Sequence, residues 1–400
     1  MSEADSTFVW GLKEYFIVPK HIWGKVDNLT TFTNPNPVGN GPMTEIAFMS
    51  AQQLKLCRNP HYWQADKGRP YLDCIVARSY NDNSQIQAAL MKGEIDWAAN
   101  FVADIDKTYV ARNPETNKYW YPANDAIYLY LNHKIAPFDN LEVRKALSMS
   151  LDRDMIVDIA AYGYPTANFS VTGLGEYFEK YIDKDIETKH ASITTYNPEA
   201  AMKILDAQGY TDKNGDGFRQ LPNGKPISFD IEVVNGWTDW VQTVQMVTEF
   251  FGAVGINAEI KTVDWAVYDK NLKDGNYQVS INWSATKNAH PIEAYDAYFS
   301  ESSVGNSWHA GHGFINTEIS ELIGSFGGIS DVNKQNEIIN TLQAYTADNV
   351  PFIPLFSNPT WFQYNTTRIV GWPDANNPYI QPIYYQGDKK VKILDHLHLR

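Results

Sequence analysis

Between Phe229 and Trp283 the chain changes its hydrophobic period twice. Phe229-Asp-Ile-Glu-Val-Val alternates apolar and polar positions and is rich in β-branched residues, which predicts a strand. Val241, Val244, Val247, Phe250 and Phe251 then recur at helical spacing, until Gly252 to Asn257 break the stripe. Ala258-Glu-Ile-Lys-Thr-Val resumes the alternation. Strand, helix and strand in this order predict a βαβ unit. A further strand, Tyr277-Gln-Val-Ser-Ile, runs into Asn282-Trp283-Ser284. The first strand likewise runs into Gly236-Trp237-Thr238-Asp239-Trp240. Ligands of open α/β sheets gather at the carboxyl ends of strands, so both Trp-bearing turns can face one cleft.

The same periods recur along the rest of the chain. Positions 44–49, 53–58, 74–80 and 126–132 read as strands, and 352–356 and 361–365 as short β runs. Positions 141–161 carry a helical stripe that Asp139 or Asn140 can cap, and 333–348 carry another. Alternating strands and helices predict the α/β class. Four hundred residues exceed one ordinary core, so at least two lobes are expected.

Composition adds three constraints. The net charge of −14 disfavours nucleic acid as a partner, because phosphate binding rests on Lys and Arg. Aromatic residues make up 14% of the chain, with 12 Trp and 24 Tyr, more than core packing asks for. That excess fits a surface that stacks flat ligands, the alternative being a large core with many edge aromatics. No run of 18 apolar residues is present. The start, Met1-Ser-Glu-Ala-Asp-Ser, does not read as a signal peptide, so a cytosolic protein competes with a mature or truncated exported one. Cys57 and Cys74 lie in strand-like runs, and a hairpin can join them as a disulfide or leave two buried thiols.

Six motifs then fall in a familiar order. They are Ile17-Val-Pro-Lys-His-Ile-Trp, Asn36-Pro-Val-Gly-Asn-Gly-Pro, Arg58-Asn-Pro-His-Tyr-Trp and Lys92-Gly-Glu-Ile-Asp, then Val143-Arg-Lys-Ala-Leu-Ser with Leu151-Asp-Arg, and Val350-Pro-Phe-Ile-Pro-Leu. Together they resemble the family 5 extracytoplasmic solute-binding proteins of ABC importers, which include oligopeptide-, dipeptide-, nickel- and oligosaccharide-binding members. The resemblance implies an α/β, two-lobed periplasmic-binding-protein fold of type II, cluster C-like. Lobe I would hold 1–140 and 350–400, and lobe II 141–349, with a hinge at the two crossings. Family members carry a long segment before the Pro-Lys-His-Ile-Trp motif. The chain is therefore expected to be incomplete at its N-terminus, lacking its amino-terminal third and signal peptide. The full-length form would be periplasmic or extracytoplasmic, a monomer that docks on ABC permease subunits.

Peptide-binding members place an acidic residue soon after the Trp of the strand-end motif. Here Trp283-Ser-Ala-Thr-Lys-Asn-Ala-His-Pro offers none before Glu293. Burying an unpaired amine there would cost at least the roughly 2–7 kcal/mol of a neutral polar group. A neutral oligosaccharide fits better. Trp237, Trp240 and Trp283 supply indole faces, while Asp239, Asn282 and Asn288 supply hydrogen bonds. Gly236-Trp-Thr-Asp-Trp is similar to the segment found in cello- and chito-oligosaccharide-binding members. Trp361, Phe362 and Trp372 are further stacking candidates near the hinge. The plain alternatives are that the indoles cap a helix core and that Asp239 is only an N-cap. An oligopeptide ligand is the alternative within the family.

Asp212-x-Asn214-x-Asp216-Gly-Phe copies half of a calcium loop, but its twelfth position is Asn223 rather than Glu. A solvated turn is the competing reading, and no other cofactor is expected. Asp296 with Glu293 and Asp264 with Asp269 are carboxylate pairs of the kind a glycosidase needs. His309 and His312 lack an obvious third metal ligand. No nucleophile elbow, zinc-protease motif or phosphate loop occurs, and the chain is read as a receptor rather than an enzyme.

Overall fold

A computed structural model describes residues 5–11, 16–285 and 290–400. In chain order the described strands are β1 (Met43–Met49), β2 (Gln53–Arg58), β3 (Cys74–Arg78), β4 (Trp97–Ala98), β5 (Asn117–Tyr119), β6 (Ala123–Leu131), β7 (Thr166–Ala167), β8 (Ser228–Val234), β9 (Asn257–Val263), β10 (Val279–Trp283), β11 (Phe352–Pro359), β12 (Gln363–Asn365), β13 (Ile369–Val370) and β14 (His398–Leu399). The chain divides into two compact units. The larger holds Met1–Phe8 and Ala123–Pro359, and the smaller holds Val9–Pro122 and Thr360–Arg400. The sequence reading divides the chain at 140/141 and 349/350, whereas these units divide at 122/123 and 359/360. Strand pairing sets the difference, because β6 and β11 both belong to the larger unit's sheet.

That sheet has six strands in the order β7-β11-β6-β10-β8-β9. β10 and β9 both run parallel to β8, and β6 runs antiparallel to β10 and β11. The expected βαβ unit is therefore present, with the Thr238–Ala253 helix as its crossover. That helix buries Val244, Val247 and Phe251 of the expected stripe together with Trp240, while Val241 and Phe250 are half-buried. Residues Ala126 to Leu131 of β6 are wholly buried, as expected of a central strand covered on both faces.

The helical stripe at 141–161 forms two helices, Leu141–Met149 and Arg153–Ala160. Asn140 caps the first through the N–H of Glu142, and Asp152 caps the second through the N–H of Met155. The second cap restarts the helix, which apolar periodicity alone does not show. Arg153 is 1% exposed and donates to the carbonyls of Pro354, Ser148, Leu151 and Thr194 and to the Ser148 hydroxyl. Its charge is met by oriented carbonyls rather than a carboxylate, and burial lowers its pKa to about 9.

In the smaller unit β1, β2 and β3 form an antiparallel sheet. Cys57 stands directly opposite Cys74 in the β2–β3 register, and the two form a disulfide. A second sheet has the order β4-β12-β5. Its core gathers Phe362, Tyr364, Trp372, Ile393 and Leu397, with Trp97 edge-on to Phe362 and Trp372. Phe362 is 0% exposed and Trp372 6%, so two stacking candidates are core residues instead. The indole N–H of Trp372 is spent on the Ile369 carbonyl at 3.0 Å. Trp361 is half-buried, edge-on to Phe101 and Tyr121.

Candidate ligand-binding site

The three parallel strands of the larger unit end side by side, and each delivers an indole. β8 leads through Asn235-Gly236 to Trp237, β9 leads through Asp264 to Trp265, and β10 ends on Trp283. Gly236 takes φ +82°, a backbone conformation that residues bearing a Cβ seldom adopt, and turns the chain into the helix. The ring centroids of Trp237 lie 5.1 Å from Trp283 and 5.5 Å from Trp265. A fourth indole, Trp308, comes from the segment after the Pro291–Phe299 helix and lies 6.0 Å from Trp283 and 5.5 Å from Trp265. Trp237, Trp283 and Trp308 are partly exposed, and Trp265 is 42% exposed. Trp240 packs beneath them, 4.6 Å from Trp283 and only 2% exposed.

Buried polar groups hold this cluster. The Tyr130 hydroxyl donates to the Trp283 carbonyl at 3.0 Å, and the Tyr268 hydroxyl donates to the Ile281 carbonyl. Burial raises the pKa of both tyrosines well above the ordinary value, which keeps them as donors. The Trp265–Asp274 helix is pinned to the sheet by Asn271, whose amide donates to both oxygens of buried Glu232 at 3.1 and 3.0 Å. Lys261 balances that carboxylate at 3.2 Å.

The segment bearing Trp308 is tied at several points. Asn282 donates its amide to the Trp308 carbonyl at 3.2 Å, and Ser307 donates its hydroxyl to the Ala297 carbonyl at 3.1 Å. His312 Nδ1 accepts from the N–H of Phe314, leaving Nε2–H to donate to the Tyr298 carbonyl. Burial lowers the His312 pKa to about 4, so it stays neutral. Gly275 and Gly311 pass backbone to backbone, and a Cβ on Gly311 would lie 2.1 Å from the Leu272 carbonyl oxygen. This approach sets Trp308 beside Asp269, whose Oδ1 accepts the indole N–H at 2.7 Å. Lys273, one helical turn on, lies 2.9 Å from the same oxygen. Its hydrogen bond, aided by the indole, holds the Asp269 pKa below the usual carboxylate value.

The expected site residues thus divide. Trp237, Trp240 and Trp283 form one cluster, with Trp240 as its floor. Asn282 is fully buried and positions the Trp308 segment rather than facing outward. Asp239 is 5% exposed and lies in the first turn of its helix, whose N-cap is Trp237. Asn288 lies outside the described residues. Trp265 and Trp308 are additions. Trp265 carries the same signal as Trp237 and Trp283, a tryptophan just past a parallel strand, whereas Trp308 has no such signal.

At the calcium-like loop, Asp212 accepts the N–H groups of Gly215 and Gly217, and Asp216 accepts those of Phe218 and the Asn214 amide. The Asn214 carbonyl oxygen accepts from Gln220. These side chains therefore brace a turn. Among the described residues no group of three or more His, Cys, Asp or Glu is placed to hold a metal. No described helix is long and apolar enough to cross a membrane.

A family model described as bacterial extracellular solute-binding proteins, family 5 Middle, matches residues 1–306. The chain belongs to this family. Its members are non-catalytic, extracytoplasmic solute receptors of ABC importers, and the α/β fold of the chain is the two-lobed periplasmic-binding-protein fold. Heme-binding protein A of Haemophilus influenzae is 25% identical over 353 residues, covering 87% of the chain and 59% of that protein. Oligopeptide-binding protein AppA of Bacillus subtilis is 25% identical over 348 residues, covering 85% and 61%. The chain thus spans about three fifths of the length of these relatives. The mannohexaose-bound periplasmic oligopeptide-binding protein of an ABC transporter from Thermotoga maritima is 28% identical, with a TM-score of 0.90 over 100% of the chain and 76% of that structure.

Proposed function

We propose that the chain is the solute-gripping part of an ABC-importer receptor whose larger unit stacks a neutral oligosaccharide on its indole cluster, for delivery to permease subunits. The carrying observation is that three neighbouring strand ends and one tied-down loop converge four partly exposed indoles. A sugar ring offers a C–H face that such a surface covers without a counter-charge, as bases stack on aromatics in single-strand binders. Trp361 is a further stacking candidate in the smaller unit. The mannohexaose-bound relative supports a sugar ligand. None of the relatives reported above is named for cello- or chito-oligosaccharides, and the sugar class is proposed no more finely than a neutral oligosaccharide.

An oligopeptide is the second reading. The names of most of the curated relatives favour it over a sugar, oligopeptide-, dipeptide- and di/tripeptide-binding proteins among them. Titration calorimetry with mannohexaose, cellohexaose, chitohexaose and short peptides separates the two. Saturable sugar binding without cleavage products is the expected result. Binding of peptides alone would replace the sugar reading with the second one.

A further inference from the structure

Three of the four exposed indoles are carried by strand ends, but Trp308 is not. Its ring is aimed by one polar contact, the 2.7 Å bond from its indole N–H to Asp269 Oδ1. Asp269 is itself held by Lys273, at 2.9 Å from Oδ1 and 3.0 Å from Oδ2. The Lys273 ammonium also lies 6.0 Å from the Trp308 ring centroid, within cation–π range. Asp269 and Lys273 are one turn apart on the helix that presents Trp265, and Asn271 fixes that helix to Glu232 between them. The Asn282 side chain and the Gly275–Gly311 approach place the Trp308 main chain, the ring packs against Trp265 and Trp283, and Asp269 is the acceptor that fixes its N–H edge.

We propose that Asp269 is a positioning residue of the ligand site, latching the Trp308 ring through its indole N–H. A ring so latched has no donor left for a ligand and offers only its face, so Trp308 selects for stacking and not for a hydrogen-bonding edge. A loosened ring would have to be ordered by the ligand, which weakens binding. The idea rests on the sugar reading for its ligand arm only.

The test uses the full chain and four variants: Asp269→Ala, Asp269→Asn, Trp308→Phe and the double variant Asp269→Ala/Trp308→Phe. In a nitrogen-15 proton correlation spectrum, the indole resonance lost in Trp308→Phe belongs to Trp308. That resonance should shift and broaden in Asp269→Ala, and largely return in Asp269→Asn, which keeps an acceptor oxygen. Mannohexaose affinity by calorimetry should fall roughly 5- to 20-fold in Asp269→Ala, on the scale of one lost stacking contact. Asp269→Asn should recover most of that loss. Once Trp308→Phe has removed the N–H, adding Asp269→Ala should cost no more, the signature of a coupled pair. An unmoved indole resonance in Asp269→Ala, or an equal loss of affinity with and without the Trp308 indole, would overturn the latch. If the unaltered chain binds no mannohexaose, the sugar reading fails, and the indole resonance still decides the latch.

Discussion

Replacing Trp265 by alanine removes the most exposed indole of the cluster while leaving the core beneath it intact. A tryptophan side chain presents up to about 250 Å² of surface, so 42% exposure leaves about 100 Å² for a ligand to cover. Covering half to all of that area at about 25 cal/mol/Å² is worth about 1.3–2.6 kcal/mol. The expected loss is therefore about 10- to 80-fold in affinity, at about 1.4 kcal/mol per decade. Calorimetry with mannohexaose at one temperature measures it, and a thermal melt of each protein controls for folding. Trp240→Ala is the contrast, because that ring is 2% exposed and its removal should cost about 3–5 kcal/mol of stability. If the unaltered protein binds and Trp265→Ala binds equally well, exposed indoles do not make the site.

Other consequences are measurable. The double change Cys57→Ser/Cys74→Ser opens a loop of sequence separation 17 and should cost about 3 kcal/mol in the smaller unit, read from urea melts with and without reductant. Equal midpoints would contradict it. Burial holds the His312 pKa at about 4 and that of His133 at about 2, below the ordinary 6.5. The unfolded chain therefore takes protons first, and stability is lost as pH falls below about 6.5. The two together should cost about 2–3 kcal/mol between pH 7 and 5.5, seen as a falling urea midpoint. Gly311→Ala meets the Leu272 carbonyl oxygen at 2.1 Å, so it should cost about 2 kcal/mol and weaken ligand binding by displacing Trp308. A melt and a titration together show whether both effects occur.

The sheet around the cluster was legible because its strands and crossover helix obey clean periods. Trp237 and Trp283 were legible as strand-end residues, and Trp265 follows the same rule one strand over. Trp308 was not, since its place depends on Gly275 meeting Gly311 and on Asn282, contacts between segments distant in sequence. Asn282 shows the converse limit. An amide at a strand end reads equally well as a ligand contact or as a brace for a neighbouring loop, and only tertiary packing decides. Phe362 and Trp372 show the same for aromatics, because a small β unit also needs large rings for its own core. The compact units divide about one strand away from 140/141 and 349/350 at each crossing, because β6 and β11 pair with each other across more than two hundred positions.

Five indoles lie close enough for their excited states to mix, with Trp240 and Trp283 at 4.6 Å and Trp237 and Trp283 at 5.1 Å. Such coupling splits their absorption bands and gives paired circular-dichroism signals of opposite sign. Those signals depend on the angles between the rings, which a bound guest would turn by small amounts. A guest stacking on the cluster would therefore be readable from those signals without a label or a competitor.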